Sequence, residues 1–180
     1  MSNRTTGLHG NPFALTGPEL KVGDSAPNFK LQQNTAAGLI DVSLETYAGK
    51  TLLLSVLPSI DTPVCATQTK TFNEKASNLP DNVVVLTVSA DLPFAQGRFC
   101  GAEGIDKIQT ASDHRDTSFG AAYGVLINEG PLQRVLSRAI FIVNPEGKLK
   151  YVEYVPEVPD HPDYDKALAA VLNAFNEISL

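Results

Sequence analysis

"TLLLSVLPSIDTPVCATQTKTF", residues 51–72, decides how the chain folds. Its first eight residues, "TLLLSVLP" (51–58), are apolar almost throughout, as expected of a β-strand covered on both faces. After Pro58 the pattern changes. Thr62 suits a helix N-cap, and Pro63 suits the first helical position, where its missing N–H leaves no bond unmade. The helix is expected to run to about Asn78, with Val64, Phe72 and Ala76 able to face the core. A buried strand feeding straight into a helix is the building unit of an α/β sheet.

The unit recurs downstream. "NVVVLTVSAD" (82–91) reads as a second buried strand, and "LPFAQGRFCGAEG" as a short helix or turn ending at glycines. "IQTASD" is a short strand candidate, and "TSFGAAYGV" a short helix closed by glycine. "SRAIFIVNPEGKLKYVEYV" places two β-rich runs around a turn and predicts a hairpin. "DYDKALAAVLNAFNEISL" predicts an amphipathic helix, with Leu168, Val171, Leu172 and Phe175 at helical spacing. Upstream, "LIDVSLETYAGK" reads as strand then loop, and the first twenty or so residues as a short hairpin or arm. Alternating strands and helices imply parallel pairing, and the late hairpin adds antiparallel strands. The expected class is α/β: a thioredoxin-like fold with a central mixed sheet flanked by helices and an N-terminal hairpin or arm. With 180 residues and no linker or repeat, one domain spanning 1–180 is expected.

Composition narrows the functions. A net charge of −6 argues against nucleic acid as a partner. The longest apolar runs are strand-sized, so no membrane span is expected. "MSNRTTGLHGNPF" lacks the apolar core of a secretory signal, which sets the expectation of a cytoplasmic protein. Structural disulfides are rare there, so a bond between the chain's two cysteines would be transient and functional. Those cysteines and three scattered histidines (His9, His114, His161) form no zinc-type spacing. "GAEGIDK" lacks the pattern of a phosphate loop. Neither a metal nor another cofactor is expected.

With Thr62 as N-cap, Cys65 is the third helical residue. The first-turn amides have no partner within the helix and present partial positive charge, so a thiolate is stabilised there. The preceding strand is buried, so Cys65 sits where a parallel strand ends, the usual ligand side of an open α/β sheet. Cysteine is also among the most buried residue types without any function, and both readings stand on the residues alone.

"PSIDTPVC" also fits the Pro-x-x-x-Thr-x-x-Cys signature of the peroxiredoxins, with Pro58, Thr62 and Cys65 in the three places. "PSIDTPVCATQTKTFNEKA", "SADLPFAQGRFCGAEG", "YGVLINEGPLQRVLSRAIFIVN" and "PDYDKALAAVL" together resemble the atypical two-cysteine, thiol peroxidase branch over almost the whole chain. The resemblance implies that the Cys65 thiolate attacks a hydroperoxide and becomes a sulfenic acid. It implies that Thr62 and first-turn amides hold sulfur and peroxide, and that Pro58 shields the pocket. An end-of-strand proline is the plainer reading of Pro58. The match "LSRAIFIV" puts the family's arginine at Arg138, a cation to face the thiolate; the residues alone equally allow a surface arginine, as expected for Arg98 and Arg134. Cys100 is implied to resolve the sulfenic acid as an intramolecular Cys65–Cys100 disulfide, which thioredoxin then reduces, in a homodimer. Disulfide geometry needs close Cα atoms, so the first turn at Cys65 is expected to unwind and segment 93–103, with Gly97, Gly101 and Gly104, to shift. Three alternatives remain at this point. A thioredoxin-type oxidoreductase is disfavoured by the missing Cys-x-x-Cys. A peroxide sensor would oxidise once and stop. Two buried structural cysteines would form no peroxide-dependent bond.

Overall fold

The computed structural model describes residues 4–177. Strand β5 (Thr51–Val56) is buried at every residue and lies inside a seven-stranded sheet. It pairs in parallel with β6 (Val83–Ser89), which pairs in parallel with β7 (Gln109–Ser112). On the other side of β5 lies the antiparallel hairpin β9 (Ala139–Val143) and β10 (Leu149–Tyr154). Antiparallel β3 (Lys30–Thr35) and β4 (Gly38–Ser43) extend the sheet beyond β7, giving the order β10-β9-β5-β6-β7-β3-β4. The sheet is mixed and flanked by helices, as the sequence pattern implies.

Alternation along each strand sorts residues between two cores. On one face Leu53, Val85, Ile140 and Ile142 meet Phe72 of α1 (Pro63–Ala76) and Ala167, Val171 and Ala174 of α4 (Tyr164–Asn176). Helix α2 (Pro93–Glu103) packs on β7 and β3, and Lys70–Glu103 at 2.6 Å ties it to α1. On the opposite face Leu52, Leu54, Val56, Leu86 and Val88 pack with Phe119 and Tyr123 of α3 (Ser118–Tyr123). Gly124 closes α3 at φ 70°, a left-handed position that suits glycine.

The N-terminal hairpin, β1 (Thr5–Leu8) with β2 (Asn11–Thr16), forms a second sheet with β8 (Leu126–Ile127). Its Gly7 carbonyl accepts from the Val158 amide at 2.8 Å, and its Gly7 amide donates to Pro156 at 2.8 Å.

Some expectations shift. Helix α1 stops at Ala76, two residues early, and Val64 is only half-buried. Leu172 is 43% exposed, because α4 turns Ala167, Val171 and Ala174 inward instead. Strand β3 was not anticipated: "KLQQNT" buries one apolar side chain, Leu31, and its buried Gln32 donates to Asp41 at 3.3 Å.

Candidate active site

Helix α1 presents a buried stripe of Cys65, Gln68, Thr69 and Phe72, at helical spacing. Only its lower end is apolar. A polar stripe facing a sheet needs partners, and each polar residue has one. Gln68 donates to Ser55 Oγ at 2.8 Å and accepts from Arg138 Nη1 at 2.9 Å. The Thr69 hydroxyl donates to the Cys65 carbonyl at 2.9 Å. Sequence reading missed Gln68; its position three residues after Cys65, on the same helical face, was the available signal.

Arg138, just before β9, is 2% exposed, not a surface residue. Its Nε and Nη2 donate to the Val158 carbonyl at 3.2 and 2.7 Å, and its Nη1 lies 3.4 Å from Cys65 Sγ. Among the described residues no carboxylate pairs with it. A buried cation without a counter-charge is strongly disfavoured, and the sulfur is the group beside it that can become anionic. The Val158 carbonyl was not legible in the sequence, since it comes from a loop held by the N-terminal hairpin.

Thr62 is the N-cap residue, with extended backbone (φ −91°, ψ 151°), but its hydroxyl caps nothing. It donates instead to the Ser59 carbonyl at 3.0 Å. The tight turn from Ser59 to Thr62 accounts for this, since the Thr62 amide reaches the same carbonyl at 3.1 Å. Thr62 thus holds the expected N-cap position without a side-chain cap, and the first-turn amides keep no capping side chain. Pro58 is buried two residues past the end of β5.

Cys100 is the eighth residue of α2, half-buried, and both cysteines are free thiols. Burial pushes the Cys100 thiol up, and the Thr110 hydroxyl beside it acts in the opposite direction. The two thiols thus have neighbours on different strands. Arg138 immediately precedes β9 and Thr110 lies in β7, with β5 and β6 between them. The two thiols are therefore held against different parts of the sheet and are not bonded to each other.

A further cluster ties the two cysteine-bearing segments together. Asp91, just before α2, accepts from Ser59 Oγ and the Ile60 amide, both at 2.8 Å, and from Ser89 Oγ at 2.6 Å. Its own carbonyl accepts from Ser112 Oγ. The loop leading into α1 is therefore held by the loop leading into α2. Among the described residues no group of His, Cys, Asp and Glu could hold a metal ion. None of their helices is long and apolar enough to cross a membrane.

Comparison with known proteins finds relatives across most of the chain. The Redoxin family profile matches residues 21–168. The chain is 54% identical over 164 residues to a thiol peroxidase of Listeria innocua, covering 91% of this chain and 95% of that one. It is 52% identical over 161 residues to a thiol peroxidase of Bacillus subtilis, covering 89% and 92%. Its fold is similar to the crystal structure of a peroxiredoxin-like protein from Aquifex aeolicus, with TM-score 0.88, 43% identity and 95% and 97% of the two chains covered. A thiol peroxidase from Chromobacterium violaceum shares the fold at TM-score 0.84 and 21% identity, with 98% and 99% covered.

Proposed function

We propose, from the premise that this chain belongs to the redoxin family and is a peroxiredoxin-type oxidoreductase, that Cys65 and Cys100 share one peroxide-reducing cycle. The observation that carries this reading is the Cys65 sulfur, 3.4 Å from a buried guanidinium at the open N-terminus of α1.

The Cys65 thiolate attacks one oxygen of a hydroperoxide. A sulfur–oxygen bond forms, the O–O bond breaks, and the leaving oxygen is protonated to water or an alcohol. Arg138 and the uncapped first-turn amides are the donors available to the sulfur and to the charge developing on the peroxide; preorganised donors of this kind often supply the largest share of catalysis. Thr62 orients the loop through Ser59, and Pro58 screens the pocket. Cys100 then attacks the sulfenic sulfur. The S–S bond forms, the S–O bond breaks, and the thiol proton leaves with the hydroxyl as water. Thioredoxin, a dithiol, returns the disulfide to two thiols by exchange, which an exposed, strained bond favours. The resemblance that implies thioredoxin also implies a homodimer.

A coupled assay with thioredoxin, its reductase and NADPH, run on hydrogen peroxide and bulkier alkyl hydroperoxides, tests the cycle. Cys65→Ser is expected to abolish turnover. Cys100→Ser is expected to consume one equivalent of peroxide and then stop. Full thioredoxin-linked turnover by Cys100→Ser would remove Cys100 from the mechanism.

A further inference from the structure

The helix-facing side of the sheet carries a row of hydroxyls between the two thiols. Leu53 and Val85 of β5 and β6 face α1, so Ser55 and Thr87, two residues further along, face the same way. Ala111 of β7 packs in the opposite core, so its neighbour Thr110 also faces the helices. Strand register places the three side by side: Ser55 opposite Thr87, and Thr87 opposite Thr110. One end of the row meets the Cys65 site, because Ser55 Oγ accepts from Gln68, which binds Arg138. The other end lies under α2, the helix that carries Cys100 and packs on β7. The middle member is anomalous. Thr87 is 0% exposed, and its hydroxyl has no hydrogen-bond partner. A buried hydroxyl left unpaired is disfavoured by about 1–3 kcal/mol, and such groups call for a reason. Gln96 Oε1, on α2 one turn before Cys100, is a second unpartnered buried atom on this side of the sheet.

Cys65 lies on α1, which packs over β5 and β6, and Cys100 on α2, which packs over β7 and β3, so Thr87 of β6 lies between the two footprints. We propose that the row Ser55–Thr87–Thr110 is the floor on which the Cys65–Cys100 bond closes, with Thr87 donating its free hydroxyl proton as a hydrogen bond to the sulfenic oxygen as it leaves. Cys100 supplies the electron pair, the S–O bond of Cys65 breaks, and the oxygen departs as water with the Cys100 proton. Thr87 is thereby unpartnered in the reduced fold and partnered during resolution. The inference rests on the resolving role given to Cys100 above.

Rapid-quench alkylation and mass spectrometry after one equivalent of hydrogen peroxide separate the two steps. In Thr87→Val, sulfenic acid formation should stay within about twofold of the unsubstituted protein, while disulfide closure slows at least about tenfold and sulfinic acid accumulates under excess peroxide. Thr87→Ser should close normally. Thr51→Val removes another buried unpartnered hydroxyl, at the far end of β5, and should also close normally. Thr87→Val should melt no lower than the unsubstituted protein, since it loses an unpaired hydroxyl. Closure at the unsubstituted rate in Thr87→Val, or equal slowing in Thr51→Val, would overturn the proposal, as would equal slowing of both steps with a lower melting temperature. If the unsubstituted protein forms no Cys65–Cys100 bond at all, it is the resolving role of Cys100 that fails.

Discussion

Arg138 gathers the site around one buried charge. Four of its five donors are spent on the Val158 carbonyl, Gln68 and the Cys65 sulfur, an arrangement that a planar fork satisfies and a single ammonium does not. Arg138→Lys should therefore behave much like Arg138→Ala. Both should slow the peroxide step by roughly 10²–10³, the usual effect of losing one preorganised donor, measured as sulfenic acid formation in a single turnover. A lysine variant within a few-fold of the unsubstituted protein would contradict this. Asp113 makes a separate prediction. It accepts from the Phe119 and Gly120 amides, yet burial outweighs those bonds and its carboxyl is pushed up from 3.8 to about 6. A raised carboxyl favours the fold in its protonated form, so its contribution is complete below about pH 4 and is lost as pH rises through about 6. Relative to Asp113→Asn, the unsubstituted protein should lose at most about 3 kcal/mol between pH 4 and pH 7. Urea unfolding across that range checks it, and parallel stability curves would count against it. At this scale Cys65, Cys100 and Arg138 were legible as candidates through the family signature. Gln68 was missed although its spacing from Cys65 puts it on the same helical face, and the Val158 carbonyl was not legible because nothing local marks a backbone group whose partner lies 20 positions away.

Elements matter here through the loops that lead into them. Strands β5 and β6 deliver two short connections to the same edge of the sheet, and the Asp91 carboxylate clasps them together. Asp91→Ala should leave the Ile60 amide and two serine hydroxyls short of an acceptor. That should cost about 2 kcal/mol in urea unfolding and speed amide exchange in segments 57–62 and 90–96. Unchanged exchange there would show that the clasp does not hold the loops. Phe72 sits at the apolar end of the α1 stripe, fully buried against β5, β6 and α4. Phe72→Ala should lower stability by about 3–5 kcal/mol, and a loss below 1 kcal/mol in the same measurement would contradict the packing described. The β5–α1 and β6–α2 units could be read from sequence because continuous apolar runs and Thr-Pro or Leu-Pro helix starts are local signals. Strand β3 could not, since its polar residues are held by pairing with β4 and β7. The buried face of α1 was read correctly at Phe72 and Ala76 but not at Val64, for a related reason. Its polar residues serve the site, so apolar periodicity pointed to Val64 instead.

Across the whole molecule, the sheet sets the distance the chemistry has to cover. One thiol, on α1 over β5, lies beside the Arg138 cation, and the other is on α2, which packs on β7 and β3. The N-terminal hairpin supports the cation end by holding Val158, whose carbonyl binds Arg138. The hairpin was expected from composition, but its link to the site spans nearly the full chain and had no local trace. In the proposed cycle, closing the disulfide is a conformational step that moves two helices packed on the sheet. The most direct measurement is peptide mapping by mass spectrometry under non-reducing conditions, after reduced protein receives one equivalent of hydrogen peroxide. The account predicts one dominant cross-link, Cys65 to Cys100 within a single chain, which disappears on incubation with reduced thioredoxin. Two free thiols after the peroxide is consumed, or a Cys65–Cys65 link between chains, would contradict it.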